Sequence, residues 1–359
     1  MILLNPGPVT LSTKVREAML GPDLCHREPE FAQLQAEIRR RLLDVYGLDK
    51  TDWASILLTG SGTAAVEAML SSVVPRNGHV LVIENGTYGE RMTKILQRYG
   101  MPHSRIEHTW LEAPDLSRIE QQLATTPEMT HVAVVHHETT SGRLNDLKAL
   151  GECCRRYRVS LLVDAVSSFG AEELDFNELP IAAIAATANK CLHGVPGTCF
   201  AIASREALAS AGNASRTVYL DLQAYLEQQD RHGTPFTQSV QTFYALAAAL
   251  RELEDEGGWR TRRHSYLTRI NAVRSHLRNL GIEPLLAEGL SSCVLHAFYL
   301  PPTLSYANLH DALKARGFVI YAGQSNLAQQ IFRISMMGEI TPSDIARLCA
   351  ALTEAIRPN

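Results

Sequence analysis

Between residues 54 and 204 the chain repeats one arrangement: a short, almost continuous apolar run, then a stretch long enough for a helix. The runs are Ser55–Leu58, His79–Ile83, His131–Val135, Ser160–Val163, Ile181–Ile184 and Cys199–Ile202. A strand with one wet face alternates apolar and polar residues. Strands without that alternation are covered on both faces, as in a parallel sheet. Amphipathic stretches at Arg91–Tyr99 and Leu144–Tyr157 are long enough to be crossover helices. The expectation is an α/β fold, with a mainly parallel sheet flanked by helices. From Phe243 to Leu280 comes a long helix-forming stretch interrupted at Gly257-Gly258. Beyond it, strands at Cys293–Leu300, Phe318–Tyr321 and Ile331–Ser335 alternate with helices at Tyr306–Arg316 and Pro342–Ile356, which reads as a smaller α+β domain.

Composition narrows the function classes. The 359 residues suffice for roughly two domains, and 45% hydrophobic with 20% charged residues is globular, not disordered. Lys and Arg total 34 against 38 Asp and Glu, a net charge of −4, so a nucleic-acid partner is not expected. No run reaches about 18 apolar residues, and Met1-Ile2-Leu3-Leu4-Asn5-Pro6-Gly7-Pro8 lacks a basic region, so neither a membrane span nor a signal peptide is expected. Seven cysteines, an odd count without a Cys-x-x-Cys pair, read as reduced thiols of a cytoplasmic protein.

Ligands of open parallel sheets gather beyond the carboxyl ends of the strands, so the residues after each run are the ones to inspect. Leu58 is followed by Thr59-Gly60-Ser61-Gly62-Thr63-Ala64, small residues turning into a helix former. Such a turn can cradle a phosphate at a helix N-terminus, though Gly-rich turns are common without one. It has neither a Walker ending nor a dinucleotide fingerprint. Tyr88, among small residues after Ile83, offers a ring face to a flat ligand or is an ordinary turn tyrosine. His136-His137-Glu138 after Val135 is poorly spaced for one metal ion, because neighbours on a strand point to opposite faces. No metal is therefore expected.

Asp164 directly follows the apolar Leu161-Leu162-Val163. A carboxylate there either caps a turn or needs a cationic partner, because an unpaired buried charge is costly. Lys190 lies twenty-six residues further on, between another apolar run and the Gly/Pro-rich Gly194-Val195-Pro196-Gly197. Buried lysines usually have a task, Schiff-base formation among them. A phosphate site, a ring platform, a carboxylate for a ring nitrogen and an amine for an aldehyde are together the handles of pyridoxal 5'-phosphate (PLP).

The motifs also resemble a known family. Asn5-Pro6-Gly7-Pro8, Gly60-Ser61-Gly62-Thr63-Ala64-Ala65, Asn85-Gly86-Thr87-Tyr88-Gly89-Glu90-Arg91, His137-Glu138-Thr139-Thr140-Ser141-Gly142, Val163-Asp164-Ala165-Val166-Ser167-Ser168, Asn189-Lys190-Cys191-Leu192-His193-Gly194 and Phe332-Arg333-Ile334 are similar to the fold-type I, class V PLP-dependent aminotransferases. The resemblance implies a sheet of the seven-stranded type, PLP held covalently by Lys190, Asp164 on its ring nitrogen and Tyr88 stacked on the ring. It also implies that Ser61, Gly62 and Thr63 hold the phosphate, that Thr139 and Val166 line the cofactor, and that Arg333 receives the acidic end of the substrate. Within the class the similarity runs to enzymes that move an amino group from an aminophosphonate to pyruvate in two half-reactions, as homodimers. The implied division is 1–15 as an N-terminal segment packing near the active site or small domain, 16–245 as the PLP-binding domain, and 246–359 as linking helix plus small domain.

Two stretches depart from the family. Pro235-Phe236-Thr237-Gln238-Ser239-Val240-Gln241-Thr242 places Val240 where relatives carry a threonine for the neighbouring subunit's cofactor, with Thr237, Ser239 or Gln241 as substitutes. Cys25-His26-Arg27-Glu28 replaces a more acidic loop, making Arg27 a second anion contact or a solvated charge. The rival readings are a class V aminotransferase for alanine, serine or glyoxylate, a PLP lyase or cysteine desulfurase, and a non-catalytic cofactor binder. A desulfurase needs a cysteine on a mobile loop, whereas Cys293 begins an apolar run.

Overall fold

A computed structural model describes residues 1–357; the last two residues of the expected 246–359 segment lie outside the described residues. The central sheet consists of β1 (Trp53–Gly60), β2 (His79–Glu84), β3 (His103–Glu107), β4 (Met129–Val135), β5 (Ser160–Asp164), β6 (Ile181–Thr187) and β7 (Gly197–Ser204), in the order β1-β7-β6-β5-β4-β2-β3. All pairs are parallel except those of β7, which runs antiparallel to β1 and β6. Each expected run became a strand, and β5 and β6 are apolar and buried almost throughout because helices cover both faces of the sheet.

The helices that matter below are α1 (Pro29–Asp44), α2 (Gly62–Val73), α3 (Thr87–Arg98), α4 (Leu147–Arg156), α5 (Val240–Asp255), α6 (Gly258–Asn279), α7 (Tyr306–Ala315) and α8 (Pro342–Ile356). The expected interruption at Gly257-Gly258 ends α5 and starts α6, with both glycines at positive φ. The C-terminal part carries β8 (Leu295–Tyr299), β9 (Tyr321–Ala322) and β10 (Ile331–Ser335), an antiparallel sheet ordered β8-β10-β9. Its core also takes in Leu4 and Val9 from the N-terminal segment and Tyr266, Ile270 and Val273 from α6.

β3, the strand at Phe318–Tyr321 and the start of α3 differ from the expectations, and α1 lies in a stretch for which no element was expected. β3 was not foreseen: its sequence His-Ser-Arg-Ile-Glu buries only Ile106, as suits a sheet edge with little to cover it. The single strand expected at Phe318–Tyr321 is split at Ile320. Phe318 and Val319 pair in parallel with Ile2 and Leu3, while Tyr321 and Ala322 join β10. Finally, α3 starts at Thr87, four residues before the expected Arg91, and so takes Tyr88 into its first turn.

Candidate active site

The carboxyl ends of β1, β2, β4, β5 and β6 bring the candidate residues to one place. Lys190 follows β6 and is half-buried; its Nζ donates to the carbonyl of Pro6. Gly7 lies flush against the lysine stem. At its φ of +114° a side chain would be strained, and a Cβ would stand 2.7 Å from Lys190 Cδ. Burial pushes the Lys190 ammonium down to about 8, with Arg333 and Arg91 adding to the push and Asp164 opposing it.

Asp164, the last residue of β5, is buried. Its Oδ1 accepts from the Val166 amide at 3.0 Å, and it forms no ion pair among the described residues. Burial raises the carboxyl to about 6, against the pull of that amide and of Arg91 and Lys190. A carboxylate so placed calls for a cation from a ligand.

Ser61 is the N-cap of α2, yet its side chain makes no capping bond, and the first-turn amides of Gly62 and Thr63 bond no acceptor among the described residues. A Cβ on Gly62 would lie 2.8 Å from Val166 Cγ1, so the turn is bare backbone pressed on the segment that follows Asp164. Thr63 Oγ1 accepts from Arg91 Nη1 at 3.1 Å, and the Arg91 guanidinium lies 4.7 Å from the centre of the Tyr88 ring. Arg91 was not among the expected site residues. The available signal was its spacing, three residues after Tyr88, which shares a face once both lie on a helix.

Arg333, on β10, is fully buried without a carboxylate partner. Its Nε donates to Ala322 O at 2.8 Å and its Nη1 to Thr139 O at 2.7 Å, while the buried Nη2 has no acceptor. The Tyr321 ring centre lies 5.5 Å from the guanidinium. Thr139 Oγ1 and Asn5 Oδ1 are also buried without partners. His137 bonds Ser167 O at 3.0 Å through Nδ1, and burial lowers it to about 4, which leaves it neutral. Among the described residues no three His, Cys, Asp or Glu side chains are grouped to hold a metal ion.

Two expected features stand apart. Arg27 is exposed in the loop before α1, with no hydrogen bond or ion pair among the described residues. Val240, the first residue of α5, is buried in the core, whereas Thr237 and Gln241 beside it are exposed.

Open first-turn amides, a buried carboxylate without an ion pair, a ring platform and a depressed amine match the phosphate, ring nitrogen, ring face and aldehyde of PLP. The family decides the matter: Aminotransferase class-V matches residues 19–348. The chain belongs to this family.

It is a PLP-dependent aminotransferase of the α/β fold. The 2-aminoethylphosphonate–pyruvate transaminase of Aeromonas hydrophila is 38% identical over 99% of this chain and 94% of its own length. That of Klebsiella pneumoniae is 39% identical over 99% of this chain and 97% of the relative. Among solved structures, an alanine–glyoxylate aminotransferase from Nostoc sp. superposes with a TM-score of 0.91 at 25% identity, over 99% of this chain and 95% of that one.

Proposed function

We propose that the enzyme transfers the amino group of 2-aminoethylphosphonate, or of a close aminophosphonate, to pyruvate, releasing phosphonoacetaldehyde and L-alanine. The observation that carries this reading is Arg333, a fully buried guanidinium without a carboxylate partner and with a free Nη2. A buried, uncompensated cation favours an anionic ligand, and the guanidinium fork suits a phosphonate in one half-reaction and a carboxylate in the other. The names of the full-length relatives supply the same pair of substrates.

PLP, when bound, supplies the aldehyde that accepts the amino group and a ring that draws electrons from the substrate carbon. In this reading the amides of Gly62 and Thr63, with Ser61, bind its phosphate, and Tyr88 covers one ring face, with Val166 and Thr139 beside the ring. Asp164 keeps the ring nitrogen protonated, and this in turn gives the buried carboxylate its missing cation. Lys190 holds the cofactor between turnovers; once displaced, its Nζ is the base that takes the proton from the amine-bearing carbon and returns it. Arg333 Nη2 orients the substrate anion. Arg27, exposed in the loop before α1, is assigned a weaker second anion contact.

A cytoplasmic homodimer accompanies this function, supported by seven free thiols and by Thr237 and Gln241 exposed where a neighbouring subunit's cofactor contact is expected. The segments 1–15, 16–245 and 246–359 serve as strap, PLP-binding domain and linking helix with small domain. A desulfurase is disfavoured because Cys293 is buried, and burial next to Glu172 pushes its thiol well up.

The deciding experiment is the absorption spectrum of the PLP-loaded protein before and after adding 2-aminoethylphosphonate without a keto acid. Conversion of the bound-aldehyde band to the amine form of the cofactor is expected. A spectrum that ignores this amine but responds to alanine or serine would move the donor to the alanine–glyoxylate type. No bound-aldehyde band at all would overturn the assignment of Lys190.

A further inference from the structure

Helix α3 begins without a capping side chain of its own, because its N-cap is Gly86. The amides of Thr87 and Tyr88 are among the donors that any helix leaves open in its first turn, so they need acceptors from elsewhere. Those acceptors come from the turn after β4, some fifty residues on. Glu138 Oε2 accepts from the Tyr88 amide at 3.1 Å, and Thr140 Oγ1 accepts from the Thr87 amide at 3.3 Å. Glu138 Oε1 in turn receives the Thr140 hydroxyl at 2.6 Å and the Thr140 amide at 3.2 Å. The carboxylate is fully buried. Gly86 makes room for it, since a Cβ at that position would fall onto the Glu138 carboxylate. A negative group at this end of a helix is further favoured by the helix dipole.

Between the two capping residues lies Thr139, whose carbonyl accepts from Arg333 Nη1 at 2.7 Å. One carboxylate therefore joins the start of the helix that carries Tyr88 to the loop that anchors Arg333. We propose that Glu138 is a positioning residue of the active site: by capping α3 from a distant turn it sets the Tyr88 ring against the cofactor and, through Thr139, the guanidinium that meets the substrate anion. This rests on the roles given above to Tyr88 and Arg333. No cation stands within ion-pair reach of Glu138 among the described residues, and burial raises its carboxyl to about 7. Its orientation therefore depends on these hydrogen bonds.

The test compares wild type with Glu138→Ala and Glu138→Gln. It reads the PLP dissociation constant by titrating cofactor-free protein, the near-ultraviolet circular dichroism of the bound cofactor, the KM and kcat for the amino donor, and the melting temperature. Glu138→Ala should weaken PLP binding and raise the donor KM, each by about tenfold, the loss of one charge-assisted hydrogen bond. Glu138→Gln, which keeps an acceptor for the Tyr88 amide, should recover most of the PLP affinity. Unchanged PLP affinity, dichroism and KM with only a lower melting temperature would overturn the proposal. If Glu138→Ala does not fold, Thr140→Val replaces it: a smaller change in the same direction supports the proposal, and no change overturns it. Should the wild type ignore aminophosphonates, only the donor assignment fails, because PLP binding needs no substrate. A wild type that holds no PLP overturns both.

Discussion

Lys190 brings to the chemistry proposed for it an amine that its surroundings have already made easier to deprotonate. Burial, together with Arg333 and Arg91, brings the ammonium from an ordinary 10.5 to about 8. An amine attacks a carbonyl only when neutral, so the rate at which the cofactor-free protein captures PLP should rise with pH and level off past a midpoint near 8. Stopped-flow absorbance reads it, and a rate still climbing at the ordinary lysine value would refute it. The same shift makes a stability statement. The folded pKa lies below the unfolded one, so between about 8 and 10.5 the unfolded chain binds more protons. The contribution of Lys190 to stability therefore grows as pH rises through that window. At this scale the sequence singles out Lys190, Asp164, Tyr88 and Arg333 as candidates, since each breaks a local pattern or belongs to a motif. Arg91 and Glu138 were not: an arginine on a polar helix face and a glutamate in a polar cluster gain meaning only from partners far along the chain.

The turn from β1 into α2 shows how an element holds the site. Gly62 is pressed on Val166, whose amide orients Asp164, so the turn proposed to hold the phosphate and the carboxylate proposed for the ring nitrogen share one contact. Gly62→Ala should drive a methyl into Val166 and cost about 1–3 kcal/mol of stability, as overpacking does. PLP affinity should fall with it, and calorimetry plus PLP titration read both. An unchanged melting temperature and affinity would show that Val166 yields freely. Element boundaries were harder to read than element types. α3 starts before its amphipathic stretch because its cap comes from Glu138 and Thr140, and β3 carries no apolar run because an edge strand buries one residue.

In the whole molecule the N-terminal segment straps the C-terminal layer to the lysine loop. Ile2 and Leu3 pair with Phe318 and Val319, Ser335 N donates to Leu4 O at 2.8 Å, and Pro6 O receives Lys190 Nζ. Removing residues 1–8 should lower the melting temperature by several degrees, from the loss of buried Leu4 and of hydrogen bonds worth about 1 kcal/mol each. It should also weaken PLP retention, as measured by dialysis and absorbance; full retention would show that the strap is dispensable to the site. The sequence alone determined the parallel sheet and the helix break at Gly257-Gly258, and it singled out the strand-end residues proposed to hold the cofactor, because hydrophobic period, glycine and strand-end chemistry act over a few residues. Only the tertiary structure decided where α3 begins, which chain segment meets Lys190 and why Arg333 is left with a free nitrogen. Those depend on groups that are far apart in sequence, and no local propensity records which of them will be buried together.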